Sequence, residues 1–138
     1  MPKKRKAPTT AKGAAVETWK DEPDAHDFPA AASYLSLLLH EETAASLVER
    51  LKGADKIDRQ AKDLLRASRL PLLSADNVHV AADLQKVSAG ERLSPVLLIR
   101  GQAEIDRPLL VADGYHRICA SYHLNEDAEI PCRLVDLT

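Results

Sequence analysis

Apolar positions recur at helical spacing in the first half of the chain and in short continuous runs in the second. From Phe28 to Leu39, the residues Ala31, Tyr34, Leu35 and Leu38 share one face, which predicts an amphipathic helix. Asp27-Phe28-Pro29 supplies its start, with proline in the first turn where a missing N–H costs nothing. Residues 41–51 repeat the pattern with Ala44, Leu47, Val48 and Leu51, and Gly53 supplies the stop. Residues 55–68 predict a third helix, with Ile57, Ala61, Leu64 and Leu65 inward and Pro71 beyond its end.

From Leu70 the pattern changes. Leu70-Pro71-Leu72-Leu73 reads as a short extended piece, at a strand start or an edge, because proline cannot donate to a ladder. Residues 77–89 predict a helix with Val80, Ala81, Leu84 and Val87 on one face, ended by Gly90. Residues 94–100 carry the run Val96-Leu97-Leu98-Ile99, the composition of a strand buried on both faces. Residues 101–106 are a polar turn, and residues 108–112 read as the hairpin partner. A helix over residues 115–124 and a strand over 130–135 complete the chain. The expected fold class is therefore α+β: a small mixed sheet in the order β-α-β-β-α-β, with an N-terminal helical subdomain packed on it. The expected divisions are a disordered charged tail over 1–26, a helical segment over 27–69 and the sheet domain over 70–138.

Charge supports the tail. Lys3, Lys4, Arg5, Lys6 and Lys12 are followed by Glu17, Asp21, Glu22, Asp24 and Asp27, with few apolar residues between them. Such blocks bury too little surface to offset chain entropy. Over the whole chain, 19 basic and 21 acidic side chains leave −2, which argues against a uniformly basic nucleic-acid binder. Five aromatic residues are too few for a base-stacking platform. Cys119 and Cys132 alone make neither a disulfide scaffold nor a four-cysteine zinc site. No apolar run is long enough for a membrane span, and no apolar segment follows the basic start. The expectation is a cytoplasmic domain with reduced thiols and no membrane contact.

Chemistry concentrates in Val111-Ala112-Asp113-Gly114-Tyr115-His116-Arg117. A strand ends, a glycine turns the chain, and a helix opens with histidine and arginine in its first turn. Free N–H groups and the helix dipole favour an anion there. Arg117 offers a fork of donors suited to phosphate, and His116 can donate to an oxyanion or carry a proton. The plainer alternative has Gly114 only turning the chain, Arg117 pairing with a nearby acid and His116 solvated. Asp113 suits a magnesium ligand or an orienting group for His116, and equally an Asx-turn partner or helix N-cap, which the local pattern favours. Glu91 and Arg92, at the start of the first long strand, suit a general base in a kinase-like site but read more simply as solvated loop charges. His116, Cys119 and His123 spread over about 10 Å of helix, so no metal site is expected from them. Tyr115, Ile118, Cys119 and Tyr122 share an apolar face, which makes Cys119 a buried thiol.

Residues 70–138 resemble the ParB/sulfiredoxin superfamily. The resemblance rests on the Pro-Val-Leu-Leu-Ile strand, the second strand at 108–112, Gly114-Tyr115-His116-Arg117 opening a helix, and Ile130-Pro131 leading into the last strand. It implies a nucleotide-phosphate site, with ATP or CTP and magnesium, in which Gly114, His116 and Arg117 hold phosphate. It also implies phosphoryl transfer or nucleotide hydrolysis, with nuclease-like activity a weaker analogy. Fold alone does not choose among these. Sulfiredoxin has a cysteine directly after the motif glycine; Tyr115 stands there, which argues against sulfinate reduction. ParB proteins carry Glu-Arg-Arg after the glycine and continue into a helix-turn-helix. This sequence has neither before it ends at Thr138, so a ParB-type DNA clamp is not expected.

The alternative reading is a non-enzymatic DNA-accessory or protein-interaction module. Lys3, Lys4, Arg5 and Lys6 resemble a nuclear-import signal and would equally suit an arm on DNA phosphates, although such runs are most often solvated tails. Leu35, Leu37, Leu38 and Leu39 are close enough together for part of the first helix to face a protein partner.

Overall fold

The computed structural model describes residues 18–138, and the apolar run Val96–Ile99 stands at its centre. In chain order the elements are α1 (Asp27–Leu35), α2 (Glu41–Gly53), β1 (Lys56–Gln60), α3 (Ala61–Ser68), α4 (Val78–Ser88), β2 (Val96–Ile99), β3 (Leu110–Asp113), α5 (Tyr115–Leu124) and β4 (Glu129–Val135). A turn of 3₁₀ helix, Ala103–Ile105, lies between β2 and β3. The sheet is mixed and runs β1-β4-β2-β3. β2 pairs parallel with β4, antiparallel with β3, and β1 pairs antiparallel with β4.

The alternation of β2 divides the core. Val96 and Leu98 join Leu64, Val80, Ile118 and Ile130 on one face, which α3, α4 and α5 cover. Leu97 and Ile99 join Ala31, Leu35, Leu47 and Leu51 on the other, which α1 and α2 cover. Successive strand residues point to opposite faces, so a strand between two helical layers must be apolar at every position. That is the composition of Val96–Ile99, and all four side chains are buried. The hairpin from β2 to β3 closes at Gly101, where a Cβ would lie 2.6 Å from the Pro108 carbonyl carbon.

Several expectations change. Residues 55–68 are not one helix: Lys56–Gln60 forms β1, and only Ala61–Ser68 is helical. Ile57 fits the helical period of Ala61, Leu64 and Leu65, but it faces Cys132 across the ladder. Lys56, Asp58 and Arg59 put charge on this edge strand, which protects it from further pairing. Leu70–Leu73 is not a strand; it crosses α5, where Tyr115 Oη donates to Pro71 O at 2.5 Å. From β1 onward the order is β-α-α-β-β-α-β. The 69/70 division does not separate two bodies, because β1 belongs to the sheet and α3 packs in the same core as α5. In α1 only Ala31 and Leu35 of the expected face are buried. The helix ends at Leu35, which leaves Tyr34 and Leu38 exposed.

The charged segment also folds earlier than expected. Trp19 is buried and forms a parallel bridge with Leu93, with Lys20 N–H to Leu93 O at 2.8 Å. Glu22 accepts from Arg133. Arg133 is itself buried on β4 and donates to Lys52 O at 2.6 Å and Leu51 O at 3.3 Å, closing the C-terminus of α2. Two long-range anchors thus hold residues 18–26 that composition alone assigns to a tail. Arg133→Met keeps the apolar stem and removes these donors. It is expected to cost about 2 kcal/mol in urea unfolding, the range for hydrogen bonds from a charged group.

Candidate functional site

The chain turns from β3 into α5 at Gly114, whose φ is +112°. A Cβ there would lie 2.4 Å from Val96 Cγ1, so the position needs glycine both for its backbone angle and for room. The first N–H taken up within α5 is that of Ile118, bonded to Gly114 O at 3.0 Å. Those of Tyr115, His116 and Arg117 lie ahead of it, at the positive end of the helix.

This end opens on a polar pocket of about 380 Å³. Gly114, His116, Arg117 and Asp113 form one wall; His79, Asp83 and Lys86 of α4 form the next. Lys20, Asp24 and His26 close it from the N-terminal segment, with Glu91, Arg92 and Ser94 on the approach to β2. The structure therefore brings Gly114, His116, Arg117 and Asp113 together, as the sequence suggests. Lys3, Lys4, Arg5 and Lys6 lie outside the described residues.

Arg117 has a different setting from a free phosphate fork. Its Nη2 donates to Asp113 Oδ2 at 2.6 Å, and its Nη1 donates to Ser94 Oγ at 2.5 Å. Ser94 Oγ in turn donates to Asp27 Oδ2 at 2.6 Å, and Arg117 Nη1 lies 3.5 Å from Asp27 Oδ1. Asp27 is 2% exposed, and it also accepts from the Asp24 N–H at 3.2 Å. The floor of the pocket is thus one guanidinium between two carboxylates. Burial pushes the Asp113 carboxyl up; Arg117 pulls the other way, and Asp27 adds repulsion. Asp113 is accordingly a partner of Arg117 and does not cap α5, whose N-cap is Gly114.

His116 meets His79, with ring centroids 4.7 Å apart and planes tilted by 47°. Burial lowers the His116 imidazole below its ordinary value, and His79 lowers it further. Burial raises the carboxyl of Asp83. His79, Asp83 and Lys86 recur at i, i+4 and i+7 on a face of α4 beside that of Val80, Leu84 and Val87. That polar stripe is the sequence signal that could have located the second wall. Nothing local points to Asp27 or Ser94, which reach Arg117 across 90 and 23 residues.

Comparison with protein-family models, with curated proteins and with solved structures gives no match.

Asp24, His26 and Asp27 bring potential ligand atoms within 4.8 Å of one another. Both oxygens of Asp27 already face donors, however, and Asp113 is engaged by Arg117. His123 Nε2 lies 2.7 Å from Leu73 O, away from the His116 pair. Cys119 and Cys132 are buried; burial raises both thiols, that of Cys132 to about 12. Among the described residues, no helix is long and apolar enough to cross a membrane.

Proposed function

We propose that this chain binds the phosphate groups of a nucleotide, ATP or CTP, at the N-terminus of α5, in a domain of the ParB/sulfiredoxin kind. One observation carries the reading: the Gly114 turn, the leading N–H groups of α5 and the side chains of Lys20, Lys86 and His116 converge on one pocket. Helix N-termini with nearby cations are ready anion sites. The β2–β3 hairpin, with β4 parallel to β2 and a Gly-x-x-Arg turn into α5, is compatible with the family resemblance. In this reading Gly114 and His116 border the phosphate, and Arg117 braces the floor while contributing positive charge. Phosphoryl transfer or nucleotide hydrolysis is the reaction class such a site would serve.

The test is a titration with ATP and with CTP, each with and without magnesium, followed by backbone amide shifts. Shifts are expected at Gly114–Arg117 and along the first two turns of α4. Lys86→Ala is expected to weaken binding about fivefold, since an exposed charge contributes about 1 kcal/mol. No shift at the α5 N-terminus with any of these ligands would remove the reading.

A second reading, a protein-interaction module, draws on Tyr34, Leu37 and Leu38 at the end of α1, of which Leu37 is 82% exposed. Binding of a partner without nucleotide, abolished by Leu37→Glu together with Leu38→Glu, would favour it.

A further inference from the structure

The permanent charges on the pocket wall cancel. Lys20, Lys86, Arg92 and Arg117 stand against Asp24, Asp83, Glu91 and Asp113. Asp27 beneath the floor adds one more carboxylate. A phosphoryl group carrying one to two negative charges therefore enters a site with no surplus of fixed positive charge. A site that takes up such a group gains if it can add a proton as the ligand arrives. Imidazole is the side chain whose ordinary titration lies near neutrality.

Two imidazoles stand on this wall in mutual contact, His79 from α4 and His116 from α5. Among the described residues, neither ring has a hydrogen bond to a protein acceptor that would fix its charge. We propose that His79 and His116 form a proton-linked pair in the phosphate site, and that the pair takes up a proton when a phosphoryl group binds. The proposal rests on the nucleotide-phosphate reading above and adds His79 to the binding residues.

The geometry explains why the pair is responsive. Two imidazolium rings at 4.7 Å repel each other, so the second proton is held weakly. The depression of His116 by burial and by His79 agrees with this. From α4, Asp83 favours protonation of His116, and Lys86 lines the same pocket; on α5, Arg117 opposes protonation, and its own charge is partly met by Asp113. Tyr115 lies against His116 with centroids 5.7 Å apart and brings no charge near neutrality. Across the opening, Lys20, Asp24 and His26 face the same space, and Glu91 and Arg92 flank it; Lys20 and Asp24 already pair at 2.7 Å. An arriving phosphate reverses the balance, because an anion favours the doubly protonated pair.

The sign follows from linkage. The ligand raises the proton affinity of the pair, so binding tightens as pH falls from about 8 to about 6, by up to tenfold per pH unit for each proton taken up. The experiment uses the full chain and ATP as probe. ATP affinity is measured across that range in the wild type, in His79→Gln and in His116→Gln, while the histidine ring resonances are titrated with and without ATP. The ligand's own ionisation is common to all three proteins and cancels in the comparison.

The expected result has three parts. His79→Gln raises the midpoint of His116 in the absence of ATP. ATP raises both histidine midpoints in the wild type. The pH slope of affinity is shallower in each variant than in the wild type. ATP binding with the same slope in all three proteins would overturn the proposal and leave the nucleotide reading standing; a proton landing on Asp83 or Asp113 gives that outcome. Independent titration of the two rings would overturn it as well. Absence of ATP binding at every pH would overturn the nucleotide reading, and the proposal with it.

Discussion

Replacing Arg117 with alanine is expected to lower stability by about 3–5 kcal/mol, the usual cost of removing one partner from a buried ion pair. The guanidinium lies between Asp113 and Asp27, and it bonds the Ser94 hydroxyl that links it to Asp27. Its side chain is 14% exposed, and that of Asp27 is 2% exposed. Without the cation, two neighbouring carboxylates share a poorly hydrated space. The deficit is expected to shrink as pH falls. In the variant the Asp113 carboxyl, raised by burial and by Asp27, loses the cation that lowers it, so stability returns as pH falls through that raised value. Urea unfolding at pH 7 and at about pH 4.5 reads the difference. Arg117→Lys retains the charge but not the fork, so an intermediate loss is expected. A loss under 1 kcal/mol for Arg117→Ala would mean that water replaces the guanidinium freely. Because the substitution acts on the fold, it is a poor probe of ligand contact; His116→Gln and Lys86→Ala are better ones.

Gly114→Ala carries the second large effect, about 3 kcal/mol, from two sources of roughly 1–3 kcal/mol each. The first is backbone strain at φ +112°, which L residues rarely adopt. The second is overlap: the new methyl would sit 2.4 Å from Val96 Cγ1 and 2.9 Å from Arg117 Nη2. Val96 is fully buried on β2 and cannot turn away. The two sources separate in a double-mutant cycle. Gly114→Ala should cost about 1 kcal/mol less in a Val96→Ala background, since the overlap with Val96 Cγ1 is relieved while the backbone strain stays. Equal costs in both backgrounds would assign the effect to the backbone and to the remaining contacts with Val96 Cβ and Arg117 Nη2, each 2.9 Å away. Arg117 is a neighbour on the other side, so the substitution should also perturb the Asp113 pairing.

Much of the site was legible in the sequence because it is local. A strand, an aspartate, a glycine and a helix with histidine and arginine in its first turn lie within Val111–Arg117, and backbone geometry alone places them together. The buried strand Val96–Ile99 and the helices at Glu41–Gly53, Val78–Ser88 and Tyr115–Leu124 were legible for the same reason, since their periodicity is written in consecutive residues. Lys56–Gln60 was not. Five polar-rich residues have no strand signal of their own, and pairing with β4 supplies it. Trp19 likewise needs Leu93, and Arg133 needs the end of α2, before either position acquires a structural meaning.

The sequence by itself determined the mixed α+β class, the central apolar strand and the glycine turn that opens α5. Only the tertiary structure decided what surrounds that turn. It brought Asp27 and Ser94 to Arg117, turning an apparently free cation into the brace of the pocket floor. It also set His79 against His116 across two helices. The physical reason is the range of the forces involved. Helical and strand periodicity act within a few residues, whereas the charge state and bonding of Arg117 and His116 depend on groups that only the packed chain brings within a few ångströms.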